Sequence, residues 1–111
     1  MDDVLFTVVD PRGRAVTCTH DCWHNHVLAR RPFMSDHLEM VKTAISNPTF
    51  GIYSDAHHAD RYIYYYLHPT KLRYLKVVTR EQVDHLVVIT AFYTDSTKSG
   101  EKLIWTQANA S

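Results

Sequence analysis

The sequence of 111 residues has little glycine, proline or cysteine, and it lacks any long apolar run. Three glycines and four prolines exclude a collagen-like or low-complexity chain. With 45% apolar residues, the chain can form one core, and its length predicts a single domain over residues 1–111. Apolar stretches such as Leu86 to Ile89 are far too short to cross a bilayer, so we expect no membrane-spanning segment.

The N-terminus lacks a basic stretch followed by an apolar one, and this predicts no secretory signal. Without a signal, we expect a cytoplasmic protein whose two cysteines, Cys18 and Cys22, are reduced. Export by a route without a visible signal is the alternative.

The chain also lacks net charge, because twelve Lys and Arg balance twelve Asp and Glu. This balance argues against a protein that coats nucleic acid by bulk charge, although it leaves room for a local basic site. Between positions 56 and 80 there is one acid, Asp60, and five basic residues: Arg61, Lys71, Arg73, Lys76 and Arg80. Eight histidines add charge as the pH falls below neutrality.

The order of β-rich runs and of segments with apolar residues at helical spacing predicts an α+β fold. Two β-rich runs, Val4–Val9 and Ala15–Thr19, flank the turn sequence Asp-Pro-Arg-Gly and predict an N-terminal hairpin. Helices are expected over Asp21–Arg31, where Pro32 follows, and over a second segment with apolar residues at helical spacing that ends before Pro48. Later β-rich runs complete the prediction: two short helices packed on an antiparallel sheet of about four strands.

Strand alternation predicts a face of aromatic and basic side chains. In the tyrosine-rich strand, Ile63 and Tyr65 are assigned to the core, which leaves Tyr64 on the opposite face with Lys76 of the next strand. Tyrosine rings can stack on unpaired bases, and the surrounding segment is basic. We therefore predict RNA contacts by Tyr64, Lys76, Arg61 and, from the preceding loop, His58. The alternative is that these tyrosines only cover the back of the sheet.

Five metal-ligand residue types occur within nine positions at Cys18, His20, Cys22, His24 and His26. Zinc binds such ligands, but no second cysteine pair follows, and an α-helix separates His24 and His26 by about 200°. The competing interpretation is acid–base catalysis. His26 and Arg30 are four residues apart on one predicted helix flank, with Arg31 nearby, and a guanidinium can hold a phosphate. A half-buried histidine beside a solvated arginine is the structural alternative.

The order of these landmarks resembles the barnase/EndoU/colicin/RelE-like small ribonucleases, particularly their phage- and mobile-element-associated branches. The resemblance spans residues 20–94. It rests on Asp-Cys-Trp-His-Asn-His-Val-Leu-Ala-Arg-Arg-Pro (21–32), the second helix up to Asn-Pro, the tyrosine strand, Tyr-Leu-Lys-Val-Val (74–78) and Val-Ile-Thr-Ala-Phe (88–92). Members often have His-Pro where this chain has Arg31-Pro32, and the Cys18/Cys22 pair departs from their pattern.

The resemblance implies a metal-independent endoribonuclease without a cofactor. The roles that it suggests are a toxin held by an inhibitor protein and a phage-related effector. In such enzymes the ribose 2′-OH attacks the adjacent phosphate, so RNA is cleaved and DNA is spared. The carry-over assigns His26 to acid–base catalysis, Arg30 or Arg31 to the phosphate, and Thr90 to the cleft. Two other functions stay open: a non-catalytic nucleic-acid or protein-binding module, and a zinc-binding domain that uses Cys18, Cys22 and nearby histidines.

Overall fold

The computed structural model describes residues 3–107, and its chain begins with a β-hairpin. Strand β1 (Val4–Val9) pairs antiparallel with β2 (Ala15–Thr19). In the turn, the Gly13 amide donates to the Asp10 carbonyl at 2.9 Å, and Gly13 has a φ of +86°, which glycine adopts without steric cost.

Two helical segments follow the hairpin. Helix α1 (residues 20–30) has α-helical ends, His20–Cys22 and Leu28–Arg30, around a π-helical centre, Trp23–Val27. A 3-10 segment, Pro32–His37, leads into α2 (Leu38–Ser46). No helix among residues 3–107 is both long and apolar enough to cross a membrane.

The remaining chain forms five strands: β3 (Gly51–Asp55), β4 (His58–Leu67), β5 (Tyr74–Glu81), β6 (Leu86–Thr94) and β7 (Glu101–Trp105). All seven strands belong to one sheet in the order β1-β2-β6-β5-β4-β3-β7. Neighbouring strands run antiparallel except β2 and β6, which are parallel.

The prediction of an antiparallel sheet of about four strands is therefore wrong. The hairpin is not separate from the sheet, because Val16 and Thr17 of β2 pair in parallel with Leu86 and Val87 of β6. At the other edge, β7 pairs with β3. Both contacts join segments that are distant in sequence, so no local pattern indicates them.

The hydrophobic core lies between α2 and one face of the sheet. Val41, Ala44 and Ile45 on one side of α2 are fully buried. They are packed in the same core as Leu75 and Val77 of β5. Helix α1 adds Trp23, Val27 and Cys22 to this core. We call the opposite side of the sheet the open face.

The predicted orientation of the tyrosine strand is wrong. Tyr64 pairs with Val77 and is fully buried in the core, whereas Ile63 pairs with Val78 of the open face. The prediction failed because it assigned the aliphatic side chains of β4 to the core. A buried tyrosine is compatible with the core when its hydroxyl finds a partner.

That partner is Asp10, whose side chain is completely buried in the hairpin turn. Its carboxylate accepts a 2.7 Å hydrogen bond from the Tyr64 hydroxyl. It also accepts from the Arg12 and Arg14 amides and forms an ion pair with the Arg12 guanidinium. Asp10 therefore ties the hairpin turn to the middle of the sheet across the core.

We expect Tyr64→Phe to destabilise the fold, because it removes a donor from a buried carboxylate. Hydrogen bonds to charged groups are worth about 1.5 to 3 kcal/mol, and we expect a loss of this size in the free energy of unfolding. Denaturant unfolding measures it. Tyr66→Phe is the control, because Tyr66 packs on the same core and its hydroxyl has no hydrogen bond within residues 3–107. Equal effects of the two substitutions would contradict the role of Asp10.

Candidate functional site: a basic groove on the open face

Three adjoining depressions form a groove on the open face of the sheet. One has a volume of about 400 Å³ and the other two about 200 Å³ each. Ile89 lines all three, and helix α1 forms one wall through His26 and Arg30. The charged and polar side chains of the groove are Thr19, His26, Arg30, Arg61, Lys76, Arg80, Thr90, Lys98, Asp21, Asp55 and Glu101.

A β-bulge in β6 shapes the centre of the groove. Thr79 of β5 pairs with Val88, but Val78 pairs with Thr90, so Ile89 is an extra residue on β6. The bulge breaks the strict alternation of the strand, and Ile89 and Thr90 both line the groove while Val88 stays in the core. Bulges are frequent next to active sites because they redirect side chains in this way.

The π-helical centre of α1 brings His26 close to Asp21. The Leu28 amide donates to the Trp23 carbonyl, which is the five-residue spacing of a π-helix. With this wider turn, residues five apart approach one another, and His26 Nε2 lies 3.8 Å from Asp21 Oδ2. The other oxygen, Asp21 Oδ1, accepts a 2.6 Å hydrogen bond from the side-chain amide of Asn25. The imidazole remains 61% exposed and accessible from the groove.

The arginines at the end of α1 lie on the same side. Arg30 lines the smaller depression with His26 and Thr90. The Arg31 guanidinium lies 4.6 Å from the centre of the Phe92 ring, and Phe92 lines the neighbouring depression. The sequence predicted one cleft with His26, Arg30, Arg31 and Thr90. In the structure His26, Arg30 and Thr90 line the groove, whereas Arg31 lines none of the depressions and reaches the groove only through its contact with Phe92.

A buried ion pair lies in the groove beyond Thr90. Lys76 Nζ is 2.8 Å from Glu101 Oε2, and both side chains are at most 5% exposed. The Tyr65 hydroxyl donates to the second oxygen of the same carboxylate. Burial alone raises the pKa of Glu101, but the hydrogen bonds from Lys76, Tyr65 and the Lys98 amide outweigh it and hold the pKa below its ordinary value.

Arg61 and Arg80 lie in the groove on neighbouring strands, and Arg61 also lines the depression that contains Glu101. They are direct partners in the ladder between β4 and β5, so their side chains lie side by side on the open face. Both line the 400 Å³ depression together with His26. In total the groove contains five Lys and Arg side chains and three Asp and Glu side chains. A chain without net charge therefore has a basic groove.

Two of the predicted RNA-binding residues lie elsewhere. Tyr64 is fully buried and cannot stack on a base, which is a correction of the predicted tyrosine face. His58 is exposed at the start of β4 and lines none of the three depressions. Lys76 and Arg61 do line the groove, but Lys76 forms an ion pair with Glu101 on the groove floor.

The residues of the predicted zinc cluster do not converge. Cys18 and Cys22 are free thiols and both are buried; the Cys22 Sγ donates to the Val88 carbonyl at 3.0 Å. His20 and His24 stack on one another with ring centres 5.8 Å apart. Within residues 3–107, no group of three or more His, Cys, Asp or Glu side chains is placed to hold a metal ion.

Sequence reasoning missed five charged residues of the groove: Asp21, Asp55, Arg80, Lys98 and Glu101. In an α-helix, residues five apart point about 140° away from each other, so the contact between Asp21 and His26 depends on the π-turn. Arg80 belongs to the basic segment 56–80, but only its pairing with Arg61 in the ladder shows that it lies in the groove. Glu101 had no signal, because its partners are 25 and 36 residues away.

Comparison with protein-family models gives no match, and comparisons with curated proteins and with solved structures give none either.

The pH dependence of stability tests the buried carboxylate. Because the pKa of Glu101 is lowered on folding, its contribution is complete above the unfolded value of 4.5 and is lost as the pH falls below it. We expect Glu101→Gln to cost about 3 kcal/mol at pH 7, because Lys76 loses its charged partner. The variant should lose less stability than the wild type between about pH 5 and 3. Glu39→Gln, at an exposed ion pair, is the control. Parallel pH curves for wild type and Glu101→Gln would contradict the assignment.

Proposed function

We propose that this protein is a cytoplasmic endoribonuclease that cleaves RNA without a metal ion, with the basic groove as its active site. One observation carries the proposal: His26, Arg30 and Thr90 surround one depression, which adjoins a second that contains Arg61 and Arg80. This combination offers an accessible acid–base group, cations and a hydroxyl at one place.

The groove supplies what RNA cleavage through the 2′-OH requires. The exposed imidazole of His26 takes the proton of the 2′-OH, and the 2′-oxygen forms a bond to phosphorus. The bond to the 5′-oxygen breaks, and that oxygen leaves with a proton from the imidazolium or from water. The products are a 2′,3′-cyclic phosphate and a 5′-hydroxyl. DNA lacks the nucleophile and is not cleaved.

The surrounding residues orient the histidine and stabilise charge. Asp21 lies next to His26 Nε2 and favours a fixed ring orientation. Arg30 and Arg31 flank the position of the phosphate, where guanidinium groups stabilise the negative charge that develops on its oxygens. Thr90 lines the same depression as Arg30, and its hydroxyl can donate a hydrogen bond to the same phosphate. Lys76 forms an ion pair with the Glu101 carboxylate on the groove floor.

The partners of this function are RNA and, for a toxin, an inhibitor protein that covers the groove. A purely binding role is the second candidate, because a basic groove attracts RNA without cleaving it. The predicted tyrosine face no longer supports this binding role, because Tyr64 is buried and Tyr62 and Tyr66 pack against the core. It predicts binding that weakens steeply with salt, and no turnover.

The direct test is incubation of the pure protein with RNA in the presence of EDTA. We expect products with 2′,3′-cyclic phosphate ends, and a rate about 10² to 10⁴ times lower in His26→Ala. His24→Ala is the matched control, because His24 is exposed on the same helix and lies outside the groove. Cleavage abolished by EDTA, or equal activity of His26→Ala and wild type, would refute the metal-free mechanism. Binding without cleavage would favour the second candidate.

A further inference from the structure

Apart from Arg30 and Arg31 at the end of α1, the arginines of this chain divide into two groups by their partners. Outside the groove, Arg12, Arg14 and Arg73 each form an ion pair with a carboxylate, to Asp10, Glu81 and Asp95 respectively. In the groove, Arg61 and Arg80 have no carboxylate at ion-pair distance among residues 3–107. The chain contains as many Asp and Glu as Lys and Arg, so a shortage of acidic residues does not explain why these two arginines lack an ion pair.

Their arrangement is unfavourable for the protein alone. Arg61 and Arg80 are directly opposite in the antiparallel ladder, and like charges at such positions destabilise a sheet. Nearby acids give little relief. Asp21 lines the same depression but contacts His26 and Asn25. The pKa of Asp55 is lowered first by the His57 amide, and Arg61 contributes only a smaller part.

We propose that Arg61 and Arg80 together bind one phosphate group of the RNA strand, next to the phosphate that is cleaved. Two neighbouring guanidinium groups can each donate two hydrogen bonds to phosphate oxygens, which a lysine cannot match. An anion between them removes their repulsion. Two phosphates of one strand are required, because Arg30 and Thr90 border a different depression, with His26 lying between it and the arginine pair.

The proposal defines the substrate class: a strand with at least two phosphodiesters. It rests on the proposed function for the identity of the strand as RNA, but the binding of phosphate by the pair is independent of cleavage. A strand with one phosphate can occupy the reaction position and leaves the arginine pair empty. The second phosphate therefore adds affinity through Arg61 and Arg80 alone.

Binding of uncleavable DNA strands tests the site separately from catalysis. We would titrate the protein with a deoxydinucleotide, which has one phosphodiester, and a deoxytrinucleotide, which has two. For the wild type we expect about tenfold tighter binding of the longer strand. The double variant Arg61→Gln/Arg80→Gln should lose this gain and keep the affinity for the short strand. Arg73→Gln, at an exposed ion pair outside the groove, should behave as the wild type.

Two results would overturn the proposal. One is a gain that survives in the double variant. The other is an equal loss of affinity for both strands, which would place the pair at the cleaved phosphate. Loss of RNA cleavage plays no part in these outcomes, so an inactive protein would refute the proposed function and leave the phosphate site to be judged by binding.

The thermal stability of single variants gives an independent readout. Because the two guanidinium groups repel one another, Arg80→Gln should leave Tm unchanged or raise it in the absence of nucleic acid. Added deoxytrinucleotide should raise Tm more in the wild type than in Arg80→Gln, because the ligand binds the folded state. A clear fall of Tm in Arg80→Gln without ligand would identify a structural role and contradict the proposal.

Discussion

The groove depends on the short length of the parallel ladder between β2 and β6. That ladder contains two residue pairs, ending at Thr17 and Val87. Beyond it β2 separates from β6 but stays paired with β1 through Thr19. The edge of β6 beyond this point is taken over by helix α1, where the Cys22 thiol donates to the Val88 carbonyl. The unpaired carbonyl is thereby satisfied, and the helix is fixed along the strand that carries the bulge.

This position gives α1 two different sides. Trp23 and Val27 point into the core, and their burial anchors the helix. His26 and Arg30 line the groove beside Ile89 and Thr90. The π-helical turn of α1 places the Asp21 carboxylate beside the His26 imidazole. Such turns are frequent at functional sites. The buried thiols thus serve packing and backbone hydrogen bonding, and the exposed polar residues of the same helix are free for chemistry.

The sequence predicted local features well and long-range ones poorly. Hairpin strands, the end of α1 before Pro32 and the apolar side of α2 follow from periodicity and turn residues. The size of the sheet did not, because the pairing of β2 with β6 and of β7 with β3 joins distant segments. His26, Arg30 and Thr90 were predicted as site residues from residue type and resemblance, and they line one depression. The faces of β4 were reversed, since burial of Tyr64 depends on Asp10 in a remote turn.

The central claim is that the open face of the sheet, next to α1, holds the RNA strand. A titration of labelled protein with an uncleavable 2′-deoxy dinucleotide, followed by NMR, tests it most directly. The account predicts shift changes that are concentrated at His26, Ile89 and Thr90 and reach Arg30. Changes confined to the outer surface of α2 or to the strand edges β1 and β7, or no saturable change, would contradict it.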